Sequence, residues 1–180
     1  MIRLNLGCGY NHLPQSEGWI NIDKSGVCNP DLALNLPFET LPFNEGEVNE
    51  VNASHVLEHV TNLPALMRDL YRVMAPGALL RIATPHWASD GFTGDPTHTH
   101  PVTLNTIRLF SKKFCAEVRE KGWPNTPLAE YWDVDFEVDE FQFKLFPEWE
   151  EKRLQQKNIQ YCITHYINVV DELLFVVRRV

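Results

Sequence analysis

No run of about 18 apolar residues occurs in the 180-residue chain, so no membrane span is expected. Positive charge is also scarce: 16 Lys and Arg stand against 24 Asp and Glu, a formal charge of −8. That balance weighs against a general nucleic-acid binder, because phosphate contacts need a basic surface. Cysteine is limited to Cys8, Cys28, Cys115 and Cys162, with no CxxC pair. The opening MIRLNLGCGY reads as neither a secretory signal nor an amphipathic transit peptide. The thiols are therefore expected to be reduced, in a cytoplasmic protein, and the Asn52-Ala53-Ser54 glycosylation match carries no weight. Repeats, low-complexity tracts and long linkers are missing too. A single domain over residues 1–180 is expected, burying roughly 70% of the surface of the unfolded chain.

The acid excess is local. Residues 128–151 hold nine acids and one base, Lys144, which accounts for the whole −8; elsewhere acids and bases balance. If this segment borders a substrate pocket, it favours a neutral or cationic substrate; if it faces away, it serves only solubility. The basic run Arg108, Lys112, Lys113, Arg119 and Lys121 reads as a solvated helix face before it reads as a phosphate-binding stripe.

Alternation in Ile2-Arg3-Leu4-Asn5-Leu6 predicts a strand that runs into the turn Gly7-Cys8-Gly9. Further strands are expected at Trp19–Ile22, Leu32–Leu34, Val48–Ala53, Leu79–Ala83, Phe136–Phe146 and Leu173–Val177. Leu63, Leu66, Met67, Leu70, Tyr71 and Met74 fall on one face of a helix over 62–74, with Thr61 or Asn62 as cap and Pro76-Gly77 as stop. A second helix is expected over 104–121, broken near Ser111, and a third within 148–168. This order predicts an α/β layer fold.

The glycine turn followed by Asp23 at the end of the next strand is the first chemical signal. Glycines at a strand end let backbone N–H groups approach a ligand, and the acid can take two ribose hydroxyls. A plain turn is the alternative. The third glycine of GxGxxG is missing, and Asp23 follows Gly9 by 14 residues instead of about 20, which disfavours a dinucleotide. Residues 10–18 leave little room for a helix whose N-terminus holds pyrophosphate, so a nucleotide without phosphates is implied.

LNLGCG, GWINID, LPF, ASHVLEHV, a leucine-rich helix and APGALLRIATP follow one another in order over residues 2–100. Together they resemble the class I S-adenosylmethionine-dependent methyltransferases, most closely small members of the type 11 group with SHVLEH after the fourth strand. The resemblance implies a Rossmann-like, mostly parallel sheet with an antiparallel last strand and a shortened first helix. It implies S-adenosylmethionine as cofactor, with Gly7, Cys8 and Gly9 beside its amino-acid part and Asp23 on the ribose hydroxyls. Asn35 and Leu36 then fall beside the adenine, where the family often has Asp-Leu, and Ser54 and His55 against the methionine portion. The chain departs from larger members in lacking the third glycine and most of the first helix, which implies weaker or more exposed cofactor binding.

Histidines cluster at His55 and His59 and again at His86, His98 and His100, with His12 near the glycine turn. Segment 85–101 follows the fifth strand, at the sheet edge where α/β folds bind ligands. Its histidines, Asp90 and Asp95 are candidates for substrate contact, base or metal ligand, against the alternative of a solvated loop. For an acceptor that must lose a proton, His98 is the first candidate base, His86 the second, and His55 a further one, with His59 orienting a partner. His55-x-x-Glu58-His59 also matches a zinc-peptidase pattern, which requires both histidines on one helix. No Asn/Asp-Pro-Pro-Tyr/Phe tetrad follows the fourth strand, which disfavours methylation of a nucleic-acid base amine. Methyl transfer to a hydroxyl or amine of a small molecule or glycan, with no resident metal, is the expectation. A methyltransferase-like scaffold that binds cofactor without methylating, and a zinc hydrolase, are the two rivals.

Overall fold

The computed structural model describes residues 1–155 and 158–180. Strands β1 (Ile2–Leu6), β2 (Trp19–Asp23), β3 (Leu32–Ala33), β4 (Val48–Ser54), β5 (Met74–Pro85), β6 (Phe136–Leu145) and β7 (Val170–Arg179) form one sheet. Their order is β3-β2-β1-β4-β5-β7-β6. The first five pair in parallel, and β7 lies antiparallel between β5 and β6. The expected α/β class with an antiparallel last strand is therefore the fold found. β5 and β7 are longer than hydrophobicity alone predicts: Met74 pairs with Val48 of β4, and Leu79 to Pro85 pair with β7, ending with Pro85 opposite Glu172.

Helix α1 (Leu63–Val73) follows β4. The Asn62 side chain accepts from Ala65 N at 3.2 Å, and Pro64 sits in the first turn, where its missing N–H costs nothing. The helix buries Leu63, Leu66, Met67 and Leu70 against Leu4, Leu6, Val51, Ala53, Leu80 and Ile82 of the sheet. It stops at Val73, before Pro76-Gly77, which instead fall where the β4–β5 register shifts. A short helix α2 (Asp90–Thr93) lies in segment 85–101, then α3 (Leu104–Arg108) and α4 (Lys112–Glu120) follow. The break between these two lies at Ser111, whose side chain caps α4 by accepting from Phe114 N. Helix α5 (Leu128–Tyr131) precedes β6, while α6 (Pro147–Leu154) and α7 (Ile159–His165) replace the single helix expected within 148–168.

The first two crossovers carry no α-helix. Only the 3-10 turns Gln15–Glu17 and Gly26–Cys28 join β1 to β2 and β2 to β3. The sheet face away from α1 is written accordingly. Side chains alternate along a strand, so Arg3, Asn5, Asn21, Glu50, Asn52 and Arg81 share that face. Asn52 Nδ2 donates to Asn5 Oδ1 and Asn5 Nδ2 to Asn21 Oδ1, both at 2.9 Å, and Glu50 pairs with Arg3 and Arg81. Polar groups satisfied across strands take the place of a helix layer there.

Candidate functional site

The C-terminal ends of β1, β2, β3 and β4 open on a cleft of about 450 Å³. It is lined by Gly7, Ile22, Asp23, Lys24, Leu34, Asn35, Leu36 and Phe38 on one side, and by His55, Val56, His59, Val60, Thr61 and Thr97 on the other. Small-molecule pockets span roughly 300–1,000 Å³, so the volume suits a nucleoside-sized ligand.

Gly7 and Gly9 adopt φ of +56° and +48°, the left-handed region. A Cβ on Gly7 would stand 2.4 Å from Val56 Cγ2, whereas one on Gly9 would meet nothing within 4 Å. The first glycine lets the turn close on β4, and the second leaves the turn open above. Asp23 locks this arrangement: Gly9 N donates to its Oδ2 at 2.9 Å and Ser25 N to its Oδ1 at 2.8 Å. Each carboxylate oxygen keeps a further lone pair, which is what two ribose hydroxyls need. Cys8 is buried behind the turn, and burial, then the neighbouring Cys28 and Asp23, push its thiol up to about 11. It is an unreactive packing group. Asn35 is exposed on the cleft, its backbone N–H held by Glu39 at 2.8 Å, and Leu34, Leu36 and Phe38 give that end an apolar wall. Of the residues expected at the cofactor, Gly7, Asp23, Asn35, Leu36 and His55 line the cleft. Cys8, which is buried, and Gly9, which is part-exposed, are not among the lining residues, and Ser54 lines a shallow groove on the polar sheet face instead.

Beyond β4 the chain does not become helical. His55 has φ +56° with its N–H bonded to Ala83 O at 2.8 Å, and Leu57–His59 is a 3-10 turn. His55 and His59 therefore do not share a helix, and the peptidase arrangement is not formed. The turn instead buries Glu58 completely, at 0% exposure. Its Oε2 accepts from Thr84 Oγ1 at 3.3 Å, and its Oε1 lies 3.5 Å from His55 Nδ1 and 4.0 Å from His98 Nε2. His55 Nε2 lies 3.2 Å from Glu172 Oε1. The Glu58 carboxylate beside Nδ1, and then Glu172, outweigh burial and hold the His55 imidazole above the usual histidine range.

Segment 85–101 is tied to this turn. Thr99 N and Oγ1 donate to Glu58 O at 2.8 and 3.1 Å. The His98 side chain is 6% exposed, donates from Nδ1 to Phe92 O at 2.8 Å, and stacks on the Phe92 ring. His86 is likewise buried, and burial lowers its pKa. So His55 and His59 face the cleft, while His98 stands behind them and His86 is not among the lining residues. Glu58 entered the sequence reading only through the peptidase pattern and Thr61 only as a helix cap, and Thr97 was not singled out; for Glu58 as a buried hub the signal was a charge among Leu57, Val60 and Leu63. No residue of the acidic segment 128–151 lines the cleft.

Residues 12–82 match the family model described as a methyltransferase domain. No curated protein matches the chain. Among solved structures, an S-adenosylmethionine-dependent methyltransferase from Archaeoglobus fulgidus is similar with TM-score 0.68 and 19% identity, covering 98% of this chain and 85% of that one. One from Mesorhizobium loti has TM-score 0.56 and 14% identity, covering 99% and 90%. The [4+2]-cyclase SpnF has TM-score 0.57 and 16% identity, covering 99% and 75%.

Proposed function

We propose that the chain is a class I S-adenosylmethionine-dependent methyltransferase, a reading supported by its fold and by the methyltransferase domain matched over residues 12–82, that it uses S-adenosylmethionine, and that its acceptor is a hydroxyl or amine of a small molecule or glycan. One observation carries this reading. A single cleft is lined by the glycine turn and Asp23 on one side and by the imidazoles of His55 and His59 with Thr97 on the other.

S-adenosylmethionine supplies a methyl group made electrophilic by its sulfonium. The backbone of Gly7, Cys8 and Gly9 would hold the cofactor's amino-acid part, and Asp23 would accept from the ribose hydroxyls. Asn35 offers an amide oxygen to the adenine amine, against the apolar Leu36. Ser54, whose side chain opens on the other face, contributes backbone only. On the acceptor side, in-line displacement depends on positioning the attacking lone pair. His55, held between Glu58 and Glu172, is the imidazole within the cleft that can take the acceptor's proton. His98 and His86, expected from sequence as bases, are buried and act here as positioning residues: His98 packs on His59 with ring centroids 4.6 Å apart.

The test has two arms. Calorimetric titration with S-adenosylmethionine and its demethylated product reports binding, and Asp23→Ala is expected to weaken it by roughly 10- to 100-fold, the value of a charge-assisted hydrogen bond. No binding by the wild type at millimolar ligand would overturn the cofactor assignment. Transfer of labelled methyl to hydroxyl and amine acceptors is expected to fall ~100-fold in His55→Asn, well beyond any loss of cofactor affinity from its place beside the methionine portion. Unchanged turnover would remove His55 as base. A second reading, a cofactor-binding protein that catalyses no methylation, draws on the similar structure named as a [4+2]-cyclase, since one fold serves many activities. Cofactor binding with no transfer to any acceptor would favour it.

A further inference from the structure

Beneath the acceptor wall, lone pairs converge with no proton to share. Glu58 Oε1 is fully buried and has no hydrogen-bond partner; His55 Nδ1, 3.5 Å away, lies outside hydrogen-bond geometry. His98 spends its Nδ1 proton on Phe92 O, which in the neutral ring leaves Nε2 as a bare acceptor 4.0 Å from that same Glu58 oxygen and 3.9 Å from Asp95 Oδ2. Thr97 donates its one hydroxyl proton to Asp95 Oδ1 at 2.7 Å, so the 2.9 Å contact between Thr97 Oγ1 and His59 Nδ1 takes its proton from the histidine. His59 thus also keeps Nε2 unprotonated in its neutral form. One ligand atom from each of Glu58, His59 and His98 lies within 4.8 Å of the others.

We propose that Glu58, His59 and His98 form a site for a divalent transition-metal ion of the zinc class, which clamps segment 85–101 onto the turn after β4. A buried carboxylate oxygen without a donor is costly even when Thr84 satisfies the other one, and a cation would satisfy it together with two imidazole lone pairs. The outer contacts have the form that metal-binding histidines use: His98 donates its other ring N–H to a backbone carbonyl, and His59 to a hydroxyl that is itself tied to a carboxylate. Zinc binds nitrogen and oxygen at about 2.1 Å, so tetrahedral ligands stand about 3.4 Å apart, and the three need only draw together slightly. Three protein ligands leave a fourth position, and His59 and Thr97 already face the cleft. The site differs from the peptidase pattern, in which His55 and not His98 would be the ligand and Glu58 the base. It rests on no step of methyl transfer.

The test uses the full chain free of any histidine tag, stripped with a chelator and dialysed against micromolar zinc or cobalt. One equivalent of metal is expected, with the intense visible bands of four-coordinate cobalt. X-ray absorption at the zinc edge is expected to show imidazole and oxygen scatterers at about 2.0–2.1 Å and no sulfur. His98→Asn should weaken zinc at least ~100-fold, while His100→Asn binds as wild type. Substoichiometric zinc in folded wild-type protein overturns the proposal, as does full affinity in His98→Asn. Sulfur scattering at about 2.3 Å also overturns it, since the ion would then sit at Cys8, Asp23 and Cys28. Should His98→Asn fail to fold, the wild-type absorption spectrum still decides.

Discussion

Histidine carries much of this molecule's chemistry, and single residues of the type meet opposite fates. Carboxylates raise the pKa of His55 while burial lowers that of His86. For His86, burial is the one cause, so its proton is bound more readily by the unfolded chain than by the folded one. The sign follows: above the ordinary value near 6.5 the group is neutral in both states, and as pH falls through that value toward its lowered folded value the unfolded state gains protons and stability drops. His86→Asn keeps an acceptor for the Ala88 N–H, which His86 Nδ1 meets at 3.3 Å, and removes the titration. Urea unfolding of both proteins from pH 8 to pH 5 should show the wild type losing its advantage over the variant below pH ~6.5. A difference constant across that range would mean that His86 does not titrate through folding. His55 works in the opposite sense, since a raised pKa favours the folded state at low pH and loses that contribution as pH rises, so only the paired comparison isolates His86.

At the scale of elements, the junction between the glycine turn and β4 holds the cleft together. Gly7→Ala would place a Cβ 2.4 Å from Val56 Cγ2 in a residue with φ +56°. Two costs combine there, a clash with a stiff β-branched side chain and about 1–2 kcal/mol for a left-handed non-glycine. The single variant should lose cofactor binding by calorimetry and unfold earlier in urea. Gly7→Ala with Val56→Ala should recover part of the stability, because only the clash is relieved; a double variant no better than the single would place the whole effect in the backbone. This junction also marks where sequence reasoning succeeds and fails. Gly7, Gly9 and Asp23 were legible because their roles are local, a turn and the acid after the next strand. Helix α1 was legible because its apolar stripe, cap and Pro64 agree. His55 at positive φ was not, since no glycine marks the position, and a 3-10 turn there cannot be told from a helix start by periodicity. Glu58 became a hub only once segment 85–101, some forty residues on, folded back to donate from Thr99. The asparagine ladder was equally hidden: Asn5, Asn21 and Asn52 are ordinary polar strand residues until strand order makes them neighbours.

For the molecule as a whole, the net charge of −8 resolves into an edge. The acidic segment lies away from the cleft, and among the described residues five of its nine acids are ion-paired, Glu150 with Arg153 on its own helix and four more elsewhere. Glu130 meets Arg119, Asp133 meets Lys112, and Glu137 and Asp139 both meet Arg178 across the β6–β7 ladder. The acids thus say nothing about the acceptor. β6 is the last strand of the sheet, and an edge strand offers unpaired backbone groups to any other chain. Val138 and Phe141 flank Asp139 and Glu140, both exposed, in a strand of high β propensity. The two carboxylates are placed where a second edge would have to dock, and desolvating them there opposes pairing. At the other edge β3 is only two residues long, which limits pairing by length instead of charge. Asp139→Val with Glu140→Val would leave Val138 to Phe141 as an uninterrupted apolar run on a ten-residue edge. Size-exclusion chromatography with light scattering should then show higher-mass species than the wild type forms at the same concentration, with cofactor affinity retained because the cleft lies across the sheet. The single Asp139→Asn loses one carboxylate but keeps a polar edge, and should elute as wild type. Equal elution of the double variant would mean that the edge is guarded by its bulged backbone, where the β6–β7 register shifts between Val138 and Glu140, and not by charge.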